Sequence, residues 1–109
     1  MTLRYRILGQ SNPAANTPTV AYTVPANTSS VISTIQVANI ANTAGSIRIS
    51  VAVAGAAASN AQYIAYNTTV LGYDALSLSL GLTLANTDTM TVYANTGNMA
   101  FNIFGSEIY

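Results

Sequence analysis

Residues 47–54 read Ile47-Arg48-Ile49-Ser50-Val51-Ala52-Val53-Ala54. Ile47, Ile49, Val51 and Val53 fall on every second position, with Arg48, Ser50, Ala52 and Ala54 between them. Successive side chains of an extended chain point to opposite faces, so this alternation predicts a strand with one face buried. The same period recurs on both sides. Leu76, Leu78 and Leu80 alternate with Ser77 and Ser79, and Leu82 and Leu84 continue past Gly81, where a bend or bulge is expected. Leu3, Tyr5 and Ile7 alternate with Arg4 and Arg6. Val20, Tyr22 and Val24 mark a short strand ended by Pro25, Val31 to Val37 a longer one, and Tyr63 to Tyr66 a brief one. Met90, Val92 and Ala94 face one way with Thr91 and Tyr93 opposite, and Met99, Phe101 and Ile103 close the pattern against Asn102 and Phe104. Alternation predicts a core that includes Ile35, Val37, Ile49, Val51, Leu78, Leu80, Val92 and Phe101.

Turn chemistry separates these runs. Asn-Thr recurs at Asn16, Asn27, Asn42, Asn67, Asn86 and Asn95, nearly always between predicted strands. Asparagine tolerates left-handed backbone and bonds its own backbone nearby. Gly45, Gly55, Gly72 and Gly97 add permissive positions. Ala52 to Ala58 is small and apolar and reads as a strand running into a loop. About eight short strands with frequent turns predict an all-β chain, one antiparallel β-sandwich over residues 1–109, jelly-roll or immunoglobulin-like.

Charge is scarce: 6% of residues, against about 25% in an average soluble domain. The cations are Arg4, Arg6 and Arg48, the anions Asp74, Asp88 and Glu107, and the net charge is zero. Nucleic-acid binding draws on several phosphate contacts, and membrane-surface binding on a basic patch, so neither partner is expected. No apolar run approaches the roughly 20 residues of a membrane helix, and Met1 to Arg6 lacks a signal-peptide pattern. The sequons at Asn27 and Asn67 read as turns. The remaining polar surface is Asn, Thr and Ser, which desolvate more cheaply than ions and suit contact with other protein.

Chemistry is equally sparse. The chain has no histidine, cysteine or lysine, which removes the usual general base, the thiol nucleophile, Schiff-base chemistry and most transition-metal ligands. Asp74 and Asp88 sit in turn-like settings and read as turn residues rather than acid catalysts or calcium ligands. No catalytic, metal or cofactor site is expected. Among seven tyrosines, Tyr22, Tyr63, Tyr66 and Tyr93 read as strand packing with hydroxyls at the edge, while Tyr5 and Tyr109 are interface candidates. Arg48, mid-strand and opposite Ile47 and Ile49, is either solvated on an open sheet face or an interface anchor.

The run Tyr22-Thr23-Val24-Pro25-Ala26-Asn27-Thr28, followed by Val31-Ile32-Ser33-Thr34-Ile35, resembles a small family of phage virion proteins. Arg48-Ile49-Ser50-Val51, Tyr63-Ile64-Ala65-Tyr66, Leu80 to Leu84, Val92-Tyr93-Ala94 and Phe101 to Ile108 extend the resemblance over most of the chain, with Asn27 where glycine is common. The resemblance implies a capsid cement or decoration protein, often trimeric, on the head exterior and bound to the major capsid protein or other virion proteins. The alternative is a tail, baseplate or fibre component, including a host-glycan binder. The expected interface residues are Arg4, Tyr5, Arg6, Arg48, Phe104, Glu107 and Tyr109.

Stability depends on pH only where folded and unfolded chains bind different numbers of protons. With no His or Cys, the unfolding midpoint should stay nearly flat between about pH 6 and 9, measured by thermal melts at constant assembly state. A steep change across that window would reveal a misread buried acid or tyrosine.

Overall fold

The computed structural model describes residues 1–54 and 56–109; Gly55, expected at a permissive turn, lies outside the described residues. The alternating segments become nine strands: β1 (Leu3–Ser11), β2 (Thr19–Thr23), β3 (Ser29–Asn39), β4 (Gly45–Ala52), β5 (Tyr63–Val70), β6 (Ala75–Leu78), β7 (Leu82–Leu84), β8 (Thr89–Ala94) and β9 (Met99–Ile108). One 3-10 turn, Asn60–Gln62, leads into β5. Every pairing is antiparallel: β1 with β9, β2 with β8, β3 with β6 and β7, and β4 with β5. These are the rungs of one long ribbon whose tip joins β4 to β5. Rolling the ribbon adds the pairs β3–β9 and β4–β8. The result is two sheets, one in the order β1-β9-β3-β6 with β7 also on β3, the other β2-β8-β4-β5. This is a jelly roll, which settles the choice against an immunoglobulin-like arrangement. Gly81, at φ +61, interrupts the strand opposite β3, so β6 and β7 share one place in the roll.

The sheets enclose one core, with Ile35, Val37, Ile49, Val92 and Phe101 buried as expected. The Met90, Val92, Ala94 and Met99, Phe101, Ile103 rows are wholly inaccessible. Val51 and Leu78 pack against the core from a half-buried position. Leu80 does not belong to it. It lies in the β6–β7 connection, 48% exposed, because the chain leaves the ladder at Gly81. Val53 likewise falls beyond the end of β4 and is 74% exposed.

Bulges explain the other departures from simple alternation. β3 skips a register position at Ser33, between the pairs Ile32–Gly105 and Thr34–Phe104. An extra residue flips the parity of everything beyond it. Hence Ile32 points inward together with Ile35 and Val37, while Val31 is turned out of the core. A register shift at Ala21 similarly buries Tyr22 and exposes Val20. In β1 the shift lies at Leu8, which is buried, and the expected apolar face of Leu3, Tyr5 and Ile7 faces outward. Arg4 and Arg6 share the parity of Leu8, on the side of Glu107.

A folded monomer of 11.3 kDa exposes roughly 5,700 Å², and this chain exposes 5708 Å². The two sheets therefore complete a core without help from a second chain.

Close approach of β9 to β3 requires Gly105: a Cβ there would stand 2.1 Å from the Val31 carbonyl oxygen. Gly105→Ala should lower folding stability by about 1–3 kcal/mol, as overpacking does. Gly97→Ala, where a Cβ meets nothing within 4 Å, should stay within about 0.5 kcal/mol of wild type. Chemical denaturation of the two variants checks the contrast.

Candidate functional site

Three surface regions carry the polar and aromatic chemistry. The first lies where β1, β3 and β9 meet β2. The register pairs Glu107 with both Arg4 and Ser30. Its carboxylate is only 4% exposed and turns inward. The Tyr22 hydroxyl donates to Glu107 Oε2 at 2.6 Å, and with its one proton so placed it accepts from Ser30 Oγ, also at 2.6 Å. Arg6 Nε stands 3.4 Å from Glu107 Oε1. Burial, then the hydrogen bond to Glu107, pushes the Tyr22 phenol up to about 12, against a smaller opposing effect of the Ser30 bond. Arg4 lies over the Tyr109 ring at 5.7 Å, and the Thr2 and Tyr109 backbones bond each other. Arg4, Arg6, Glu107 and Tyr109 line a shallow cleft with Pro25 and Thr28.

The second region is the outer face of the five-stranded sheet. Tyr5, Ile7, Val31 and Phe104 line an open cleft of about 620 Å³, and Leu3 extends the apolar surface along β1. Tyr5 is 79% exposed there.

The third is the outer face of the four-stranded sheet. β4 lies between β8 and β5, so Arg48 is flanked by Tyr93, its registered partner, and Tyr66. Its guanidinium carbon is 4.4 Å from the Tyr66 ring centre and 4.6 Å from that of Tyr93. Two such distances on opposite sides match two strand spacings of roughly 4.8 Å each. Asn67 takes left-handed backbone at φ 51 in a bulge opposite Arg48, and its Oδ1 accepts from Arg48 Nε at 2.7 Å. Tyr93 donates its hydroxyl to Asn16 Oδ1, and Tyr63 meets Tyr66 edge to face at 4.8 Å.

The expected interface residues thus divide. Tyr5 and Phe104 lie together on one outer face and Arg48 on the other. Arg4, Arg6 and Tyr109 gather at the edge beside β1. Glu107 departs from the expectation: its carboxylate is engaged within the chain because the β9 register turns it beneath the sheet. Of the four tyrosines expected to pack along strands, Tyr22 does so. Tyr63 and Tyr66 are exposed and Tyr93 half-buried; Tyr66 and Tyr93 flank Arg48, and Tyr63 meets Tyr66. Tyr63 and Tyr66 are three residues apart and share a face only because β5 skips a register position at Ile64, so alternation alone gave no signal that groups them with Arg48. Asp74 and Asp88 sit in turns as expected. Both Asp88 oxygens accept backbone amides, from Ala54 and Ala85, and Asp74 accepts from Ala75. Among the described residues no three His, Cys, Asp or Glu side chains gather as metal ligands.

Compared with known proteins, the chain matches no protein-family model, no curated protein and no solved structure.

The raised Tyr22 pKa has a definite pH consequence. An unfolded tyrosine ionises near pH 10, so the stabilisation from Tyr22 is complete below pH 10 and is lost as pH rises through about 12. Tyr22→Phe should cost about 1–3 kcal/mol at neutral pH by leaving the Glu107 carboxylate short of a donor, and should abolish that part of the alkaline loss. Denaturation midpoints of both proteins from neutral to strongly alkaline pH measure it.

Proposed function

We propose that this chain is a non-enzymatic structural protein of a phage particle, a cement or decoration protein that bridges capsid subunits and stabilises the head. The observation that carries the reading is the outer face of the five-stranded sheet. Leu3, Tyr5, Ile7, Val31 and Phe104 place apolar and aromatic surface outside a core that is already closed. Exposed apolar surface on a completed fold marks contact with another macromolecule. Arg6 is the one charged residue lining the cleft, and it is paired with Glu107; the rest of the lining is uncharged and desolvates cheaply. The jelly roll supports the reading at the level of fold, since viral capsid domains and lectins share it. So does the sequence resemblance to phage virion proteins.

In this reading the partner is the major capsid protein or another virion protein, and the protein acts as a homo-oligomer, a trimer, on the head exterior. Arg4 and Arg6 anchor the edge of β1 to acidic capsid surface, and Tyr5 and Phe104 supply the apolar contact. Contacts made only in the assembled state stabilise that state by mass action, and many copies add small contacts together.

Particles prepared without this protein should break at lower temperature and under milder osmotic shock than wild type. Ile7→Asp, on the exposed face, should abolish binding to such particles while leaving the isolated domain's melting point nearly unchanged. Heads that survive as well as wild type, with a defect confined to adsorption or tail function, would move the protein to the tail, baseplate or fibre.

A further inference from the structure

The outer face of the four-stranded sheet has a different chemistry from the apolar face opposite. We infer that it is a binding site for carboxylated saccharides, with Arg48 receiving the carboxylate and Tyr63 and Tyr66 receiving a pyranose ring.

Arg48 is held from three sides. The guanidinium lies over both the Tyr66 and the Tyr93 rings, and the Asn67 bond ties it down through Nε. Among the described residues Asn67 is its one hydrogen-bond acceptor, and the one ion pair is that of Arg6 with Glu107. Asp88 and Glu107 are buried and engaged elsewhere, and Asp74 lies before β6, in the other sheet. The Nη donors thus belong to a cation held by three neighbours and without an acid on its face. With Nε taken by Asn67, the planar fork is left to receive a carboxylate end-on, through one hydrogen bond from each Nη.

Beside it, Asn60, Tyr63 and Tyr66 line a cleft of about 380 Å³. The edge-to-face pair supplies aromatic lining, and the same three residues carry two phenols and an amide. Apolar walls with a few placed polar groups are the usual make-up of a small-ligand site. Tyr66 belongs to both parts, so carboxylate and ring would be bound side by side. Cross-strand stacking of Tyr66, Arg48 and Tyr93 also stabilises the sheet, but that leaves the cleft and the Nη edge unexplained. The inference does not depend on the cement reading and uses the opposite face of the sandwich.

The test is isothermal titration of the full chain with tri-galacturonic acid and with sialyllactose as carboxylated saccharides. The fully methyl-esterified galacturonate trimer and tri-glutamate serve as controls. Saturable binding of at least one carboxylated saccharide is expected, with the ester and the peptide weaker by about tenfold or more, as loss of a charge-assisted contact implies. Arg48→Gln should weaken binding by about tenfold or more. Arg48→Lys, which keeps charge without the fork, should fall between, and Tyr63→Leu should weaken ester and acid alike. Circular dichroism melts confirm that each variant folds. Absence of saturable binding by both saccharides, equal affinity for tri-glutamate or the ester, or wild-type affinity in a folded Arg48→Gln would each overturn the assignment.

Discussion

The pairing of β3 with β9 holds the molecule together. It runs from Ser29 opposite Ile108 to Asn39 opposite Met99 and joins segments far apart in the chain. Without it and the β4–β8 pair, the remaining pairings would make only a long ribbon with nothing to bury its apolar face against. With it, β9 lies between β1 and β3, and Met99, Phe101 and Ile103 are buried in the core between the sheets. The same register sets Ser30 beside Glu107 and brings both under Tyr22. The polar link across the sandwich is thus a consequence of the closing pair rather than an independent fastening. Leaving any member of that link unpaired in a low-dielectric setting would be costly.

Closure at the ends follows local rules. Asn16 and Asn27 adopt left-handed backbone in their turns, as the recurrence of Asn-Thr suggests. At Asn86-Thr87 the threonine takes that conformation instead, with Asp88 holding the turn through Ala85. Asn39 donates to the Thr43, Val70 and Leu71 carbonyls and accepts from the Ala41 amide, tying the ends of β3 and β5 together. These side chains satisfy loop backbone groups that would otherwise be left without partners near the core.

With loops and core satisfied internally, the two outer sheet faces are free to differ. One carries Tyr5, Ile7, Val31 and Phe104 and is apolar. The other presents Arg48 among tyrosines and hydroxyl-bearing residues. A chain with three cations and three anions in all, two of the anions buried, makes each charge conspicuous, and the fold places one of the cations at the centre of an aromatic row. The apolar face suits broad contact with protein, the aromatic one a ligand that is small and oriented.

Much was legible in the sequence. Strict alternation in β4, β8 and β9 specified which residues enter the core, because a strand's side chains have a period of two whatever lies beside it. The absence of His, Cys and Lys restricted the chemistry; Tyr5 and Phe104 stood out as aromatic residues near the chain ends, and Arg48 as a charge in the middle of a strand. What only the tertiary structure decided was parity and neighbourhood. The bulges at Leu8, Ala21 and Ser33 turned Ile7, Val20 and Val31 outward, and Gly81 released Leu80 from the ladder. A bulge arises where two distant segments, each with its own length and end contacts, must match register, so neither segment records it alone. For the same reason Tyr66 and Tyr93 could not be assigned to Arg48, nor Glu107 to Tyr22, until the ribbon was rolled and the strands had acquired their neighbours.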